Sequence, residues 1–252
     1  LSVDTKPSIF ISDLHLSEEA PDLTRLFLHF LEKIAPLAGA LYILGDLFEV
    51  WLGDDDTRAL ARVVQKHLHN LAQDGVKIYL MRGNRDIMMG ERFASLCGAT
   101  LLSDPTLIDL YGIPTLLMHG DSLCTLDKKH QRYRRLTLNP IVRFLFLHSP
   151  LWFRRKIAFY LRNKSKKYQS SKKIDQLILD VDQEAVTQLL AQYKATQLIH
   201  GHTHKPQIHH IACLNELERP GTRCVLGDWG PLGNMLVCTP VSLELQSFSS
   251  SA

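Results

Sequence analysis

A chain of 252 residues that is 45% hydrophobic and 22% charged holds enough apolar side chains for a sizeable core and too many for a disordered polymer. Its five cysteines, Cys97, Cys124, Cys213, Cys224 and Cys238, are odd in number and include no CxxC pair, which argues against a disulfide framework or thiolate zinc site and for reduced core thiols. The net charge of +3 conceals a segregation: Lys128 to Ile174 carries 15 Lys or Arg and no Asp or Glu, while the remainder, with 14 basic against 26 acidic residues, is negative, a pattern that marks a contact surface for phosphates, nucleic acid or anionic lipid.

From the start of the chain, Leu1 to Ser8 contains no apolar core of a signal peptide, and the lack of an initial Met reads as trimming; a cytosolic setting is expected. Five short apolar runs then read as buried strands: Ile9 to Ile11, Ala40 to Leu44, Val76 to Met81, Thr115 to Met118 and Gln197 to Ile199. Helical periodicity separates them, with apolar residues at 23, 26, 27, 30, 31 and 34 and again over Leu60 to Leu71. Alternating strand and helix predicts an α/β fold. Residues 127–181 interrupt the rhythm with basic, aromatic, helix-like sequence including Leu151 to Leu161, read as a lid inserted into a single catalytic domain spanning 1–252. No run approaches the roughly 18 apolar residues of a membrane span; Phe144 to Phe153 comes nearest and includes a His, a Ser and a Pro. Beyond it, Thr222 to Leu226 and Met235 to Ser247 read as strands of a second sheet, turned by Gly227, Gly230, Pro231 and Gly233, and the Ser-rich end from Ser247 reads as frayed. No internal repeat is visible.

Each of the five strands runs into a polar cluster: Ser12-Asp13-Leu14-His15, Gly45-Asp46, Arg82-Gly83-Asn84-Arg85-Asp86, His119-Gly120-Asp121 and His200-Gly201-His202-Thr203-His204. In open α/β sheets ligands bind beyond the carboxyl ends of the strands, so these clusters are expected to converge on one site. Asp13 and His15 stand two apart, which on an extended strand end would aim both at one ion, and His202 and His204 repeat the spacing. Asp, Asn and His donors suit Mn²⁺, Fe²⁺ or Zn²⁺. A carboxylate such as Asp46, on a central strand, could bridge two ions about 3.5–4 Å apart, which suits hydrolytic phosphoryl transfer. Any single His is more often a surface or core residue than a ligand; the ordered set is hard to obtain by chance. His67, His69, His130, His148, His209 and His210 lack that context and read as ordinary. Asp86 and Asp121 read either as groups that orient ligand histidines or as buried structural acceptors.

Together these blocks, with Leu47-Phe48-Glu49 after Asp46, resemble the signature of the calcineurin-like metallophosphoesterases. The resemblance implies a four-layer α/β/β/α sandwich, one metal on Asp13, His15, Asp46 and His204, and a second on Asp46, Asn84, His119 and His202. More narrowly, LYILGDLFEVWLGDDD, HGDSLCTLD, NKSKKYQSSK and LIHGHTHKP resemble the bacterial UDP-2,3-diacylglucosamine pyrophosphohydrolases of lipid A synthesis over nearly the whole chain. That resemblance implies Mn²⁺ as cofactor, two ions per chain, and attack of metal-activated water on the uridine-side phosphorus to give UMP and the 1-phosphate lipid X. It implies catalytic roles for Asp46, Arg85 and His202, and substrate contacts at Asn84, Arg85, Asp127, Ser165, Gln169, Lys172 and His202. It further implies a protein on the cytoplasmic face of the inner membrane that meets an anionic membrane surface, with no nucleic acid and no obligate protein partner.

One departure from the wider family bears on substrate. Many relatives carry His where Arg85 stands; a guanidinium cannot act as general acid at neutral pH but can stabilise charge on a phosphate leaving from an anhydride. The lid interleaves its cations with Phe144, Phe146, Trp152, Phe153, Phe159 and Tyr160. Pattern alone leaves open a solvated basic helical pair, a single-strand nucleic-acid groove and an interfacial lipid-binding segment, of which the resemblance favours lipid. A soluble nucleotide phosphatase, a nuclease and a noncatalytic scaffold are the rival functions, the last disfavoured by the presence of all seven candidate ligands.

Overall fold

In a computed structural model, residues 6–171, 180–214 and 219–250 are described, with side chains left undescribed at 162–171, 213, 214 and 219. In chain order the elements are β1 (Ser8–Ile11), α1 (Pro21–Lys33), β2 (Ala40–Leu44), α2 (Ala59–Gln73), β3 (Lys77–Met81), α3 (Glu91–Leu96), β4 (Ala99–Leu102), β5 (Thr106–Leu110) and β6 (Ile113–Met118). After these come α4 (Lys128–Leu138), α5 (Pro140–His148), α6 (Leu151–Ser171), α7 (Gln183–Tyr193), β7 (Gln197–His200), β8 (Gln207–Leu214), β9 (Arg219–Val225), β10 (Gly233–Cys238) and β11 (Leu243–Phe248).

The strands form two sheets, ordered β11-β10-β1-β2-β3-β4 and β5-β6-β7-β9-β8. β1 to β4 are mutually parallel, as are β6, β7 and β9. Alternation of side chains along a strand gives each sheet two buried faces. On β1, Ile9 and Ile11 pack toward α1 and α2, whereas Phe10 joins the cluster between the sheets with Leu117, Ile199 and Cys224. Phe10, Tyr42 and Tyr79 stack across β1, β2 and β3 at centroid distances of 4.5 and 4.6 Å. A third cluster, including Leu116, Leu198, Val186 and Leu190, seals α7 onto the second sheet. Three cores between four layers are the α/β/β/α sandwich.

Local sequence explains the elements that flank the site. α1 buries Leu26, Phe27, Phe30 and Leu31, the predicted stripe, and ends before Ala35-Pro36, where proline cannot continue the helix. The segment from 128 is three helices: Asn139-Pro140 breaks α4 from α5, with the Asn139 side chain accepting from the amides of Ile141 and Val142, and Ser149-Pro150 breaks α5 from α6. Among the described residues, no helix is long and apolar enough to cross a membrane. Cys97, Cys124, Cys224 and Cys238 are free and buried; the Cys213 side chain lies outside the described residues.

Two expectations are corrected. Met235 to Ser247 does not join the second sheet: it is β10 and β11, and β10 pairs antiparallel with β1 in the first. Their alternating pattern specifies a strand but not which edge it extends, and the unpaired side of β1 takes it. The Ser-rich end is ordered through Phe248, whose ring packs on Phe30 and Trp229.

Candidate metal centre

The carboxyl ends of β1, β2, β3, β6 and β7 meet at one place, and the structure brings Asp13, His15, Asp46, Asn84, His119, His202 and His204 together there. Asp46 is central, its Oδ2 lying 3.9 Å from His15 Nε2 and 3.8 Å from His119 Nε2. His119 Nε2 is also 3.1 Å from Asn84 Oδ1. Asp13 Oδ1 lies 3.3 Å from His204 Nε2. The rings of His15 and His204 are 5.4 Å apart, and those of His119 and His202 5.2 Å. Asp13, His15 and His204 form one group with ligand atoms within 4.8 Å of one another, and Asp13, Asp46 and His119 form a second.

The backbone that delivers these groups is not the extended strand end expected from the Asp13/His15 spacing. β1 stops at Ile11, and Asp13, His15, Asp46, His202 and His204 all adopt left-handed backbone, with φ of 55°, 50°, 53°, 69° and 56°. Side chains larger than glycine pay for that conformation, and it persists where surrounding structure over-determines it. Hydrogen bonds supply the constraint here: Asp13 N donates to Gly45 O at 3.1 Å and His15 N to Asp46 O at 2.9 Å. Close approach matters as well, since a Cβ on Gly83 would collide with the Asp46 carboxylate and amide. Only glycine lets the β3 loop lie against that carboxylate.

Five of these residues tie one polar atom to protein and turn the other inward. Asp13 Oδ2 accepts from Ser12 Oγ at 2.6 Å and His202 N at 2.8 Å, while its Oδ1 is buried with no hydrogen bond. Asp46 Oδ1 accepts from Arg85 N at 2.8 Å, leaving Oδ2 to the histidines. His119 Nδ1 donates to Leu44 O at 2.9 Å, His15 Nδ1 lies 3.2 Å from Glu49 Oε2, and His204 Nδ1 lies 3.4 Å from Asp228 Oδ2. Anchoring one ring nitrogen fixes the orientation and tautomer of the other, as ligating histidines require. Asp13 Oδ1 and His15 Nε2 are buried without hydrogen-bond partners, which costs free energy unless a cation takes them, so the donor set fits divalent metal.

Electrostatics agree. Burial pushes the Asp46 carboxyl up to about 6, abetted by the charges of Asp86 and Asp13 against the pull of His119. Burial acts to lower His119, but the carboxylates of Asp46, Asp13 and Asp121 outweigh it and lift the imidazole to about 10. Burial and the His119 charge drive His202 down to about 3. The cluster thus attracts positive charge at its middle and keeps His202 a neutral donor.

Around this centre the remaining sites fall unevenly. The Arg85 guanidinium, 3.8 Å from Glu49 Oε1, is partly exposed at the mouth. Asp127 caps α4, its Oδ1 accepting from His130 N at 2.9 Å. The Ser165 and Gln169 side chains and the whole of Lys172 lie outside the described residues. Asp86 proves to be a backbone acceptor, taking the amides of Gly83 at 2.7 Å and Leu47 at 2.8 Å. Asp121 holds His130 at 3.4 Å and Arg134 at 3.0 Å. The ligand rings are oriented instead by Leu44 O, Glu49 and Asp228, which spacing did not single out. His130, read as ordinary, packs its ring 5.3 Å from that of His202; its position three residues after Asp127 was the available signal.

Residues 6–206 match the family model for calcineurin-like phosphoesterase, and the chain belongs to that family. Within it, curated relatives named UDP-2,3-diacylglucosamine hydrolase are similar along most of their length. That of Stutzerimonas stutzeri (strain A1501) is 49% identical over 226 residues, covering 89% of this chain and 92% of the relative. That of Hahella chejuensis (strain KCTC 2396) is 50% identical, covering 89% and 90%; that of Aeromonas salmonicida (strain A449) is 47% identical, covering 95% and 92%.

Proposed function

We propose that this protein hydrolyses the pyrophosphate bond of UDP-2,3-diacylglucosamine to UMP and 2,3-diacylglucosamine 1-phosphate in lipid A biosynthesis. The convergence of seven donors from five strand ends, with Asp46 between His15 and His119, carries this reading, and relatives of that name over nine-tenths of the chain support the substrate. Asp13, His15, Asp46 and His204 would hold one divalent ion and Asp46, Asn84, His119 and His202 the other, with Mn²⁺ as the metal. Two such ions, when bound, supply charge neutralisation and an activated water for in-line phosphoryl displacement.

The protein's own groups do the rest. Arg85, steered by Glu49, places a permanent fork of donors where negative charge accumulates on the departing phosphate. It moves no proton, and a sugar phosphate leaving from an anhydride needs none. Asn84 and His202 both adjoin His119, Asn84 Oδ1 at 3.1 Å from its Nε2 and the His202 ring at 5.2 Å from its ring, and Asp127 with Ser165, Gln169 and Lys172 completes the substrate contacts. The lid, residues 127–181 of a single catalytic domain, bears Ile141, Phe144, Leu145, Trp152, Phe159 and Tyr160, each more than half exposed. An apolar surface of that kind, set among cations, suits acyl chains and an anionic membrane surface on the cytoplasmic side.

Product analysis tests the reaction. Incubation of Mn²⁺-loaded protein with UDP-2,3-diacylglucosamine in detergent is expected to yield UMP and the acylated 1-phosphate, with no product from Asp46→Ala and little turnover of UDP-N-acetylglucosamine. Equal turnover of the unacylated nucleotide sugar, or comparable activity on simple alkyl phosphodiesters, would overturn the assignment in favour of a general nucleotide phosphatase.

A further inference from the structure

Within the lid's basic run one arginine behaves unlike its neighbours. Arg154, near the start of α6, is 2% exposed, although the adjacent Arg155 side chain is 56% exposed. Its Nη1 donates to Leu52 O at 2.6 Å and Asp55 Oδ1 at 2.7 Å, its Nη2 to Asp55 Oδ2, and its Nε to Ser149 O at 3.0 Å. A buried guanidinium is tolerated only when paired and hydrogen-bonded, and the fork-to-fork match with a carboxylate fixes orientation as well as distance. Three of these bonds reach across to residues 51–56, and the fourth binds the turn between α5 and α6.

The receiving loop is shaped for it. Gly53 has φ of 131°, and a Cβ there would collide with the Arg154 guanidinium and Asp55 carboxylate and crowd Leu147 of α5. Asp54 faces the core, accepting from Gly90 N and Phe93 N at 2.9 Å each and from Trp51 Nε1 at 3.1 Å. Asp56 is buried and pairs with Arg58 at 2.8 Å and Arg155 at 3.6 Å. The same loop reaches the residue next to the candidate ligand Asn84, because Trp51 N donates to Arg85 O at 3.2 Å.

We propose that Arg154 is a positioning residue that pegs α5 and α6 to residues 51–56, and so sets where the lid stands relative to Arg85 and the metal ligands. It reaches no reacting group. Its kinetic signature rests on the lipid-anhydride reading above, whereas its structural signature does not.

The test uses the full-length, metal-loaded protein with Arg154→Ala, Arg154→Lys and Asp55→Asn. Hydrogen exchange in Arg154→Ala is expected to quicken across residues 140–161 and 51–56 and to stay unchanged in β1, β2 and β3. KM for UDP-2,3-diacylglucosamine is expected to rise roughly 10- to 100-fold, while hydrolysis of bis(p-nitrophenyl) phosphate stays within about twofold of wild type, since that small ester needs no lid. Arg154→Lys and Asp55→Asn, which keep the bulk and part of the bonding, should fall between. Unchanged exchange at 140–161 would overturn the peg, as would parallel loss of both activities with exchange quickened throughout. If Arg154→Ala does not fold, the two milder variants decide by the same criteria. A wild-type protein inert toward the lipid nucleotide would sink the proposed function, yet exchange would still decide whether Arg154 holds the lid.

Discussion

At the scale of single residues, five of the seven candidate ligands are held by one side-chain atom and offered by another. The convergence of these residue types was legible in the sequence because the donor chemistry a metal can use is written in residue identity and order: Asp13, Asp46, His119 and His202 stand directly or nearly so after strands. The geometry was not, since left-handed backbone at Asp13, His15, Asp46, His202 and His204 depends on contacts between loops distant in sequence. The anchors were equally hidden. Glu49 lies five residues beyond the end of β2, and only the fold sets its carboxylate 3.2 Å from His15 Nδ1. Glu49→Gln preserves size but removes the charge that orients His15, so Mn²⁺ affinity is expected to weaken by about 10- to 100-fold with melting temperature little changed. Metal titration of the chelator-stripped variant checks this, and wild-type affinity would show that His15 is oriented by other means.

Among the elements, the parallel strands and α1 and α2 followed from periodicity, because a buried parallel strand and an amphipathic helix carry their environment in their own pattern. The placement of β10 did not, for pairing with β1 rather than β9 is decided by which edge is free. Trp229, in the connection between β9 and β10, shows what that placement achieves. Its ring meets Phe27, Phe30 and Phe248 edge-on at 5.8, 5.5 and 5.3 Å, and its amide donates to Asp13 O at 3.3 Å. The residue therefore joins α1, β11 and the first ligand loop. Trp229→Ala is expected to cost about 3–5 kcal/mol of unfolding free energy, measured by urea denaturation, and Trp229→Phe distinctly less. A loss under about 1 kcal/mol for the alanine variant, the range of ordinary surface changes, would mean that the four-ring cluster does not couple these elements.

Over the whole molecule, positive charge and exposed aromatic surface coincide on the helices from residue 128, while the remainder, with 14 basic against 26 acidic residues, is net negative and carries the candidate metal ligands. Composition revealed the charge segregation but not that Arg154 is buried within it, because a run of cations reads as solvated until a partner such as Asp55 is brought to it from a hundred residues away. The exposed cations, among them Arg132, Arg135, Arg155 and Lys156, flank apolar side chains such as Phe144 and Trp152, which are 58% and 61% exposed. Two separable forces would then draw the protein to an anionic bilayer: Coulomb attraction of about 1 kcal/mol per surface cation, screened by salt, and burial of apolar rings, which salt leaves intact. Cosedimentation with phosphatidylglycerol-containing vesicles is expected at low ionic strength, with a part persisting at high salt, and little binding to pure phosphatidylcholine. Paired charge reversal at Arg132 and Arg135 should remove the salt-sensitive part, and Phe144→Ser with Trp152→Ser the persistent part. Binding that vanishes with salt yet transfers undiminished to single-stranded DNA would instead identify a surface for phosphate backbones, because counterion release alone would then account for it.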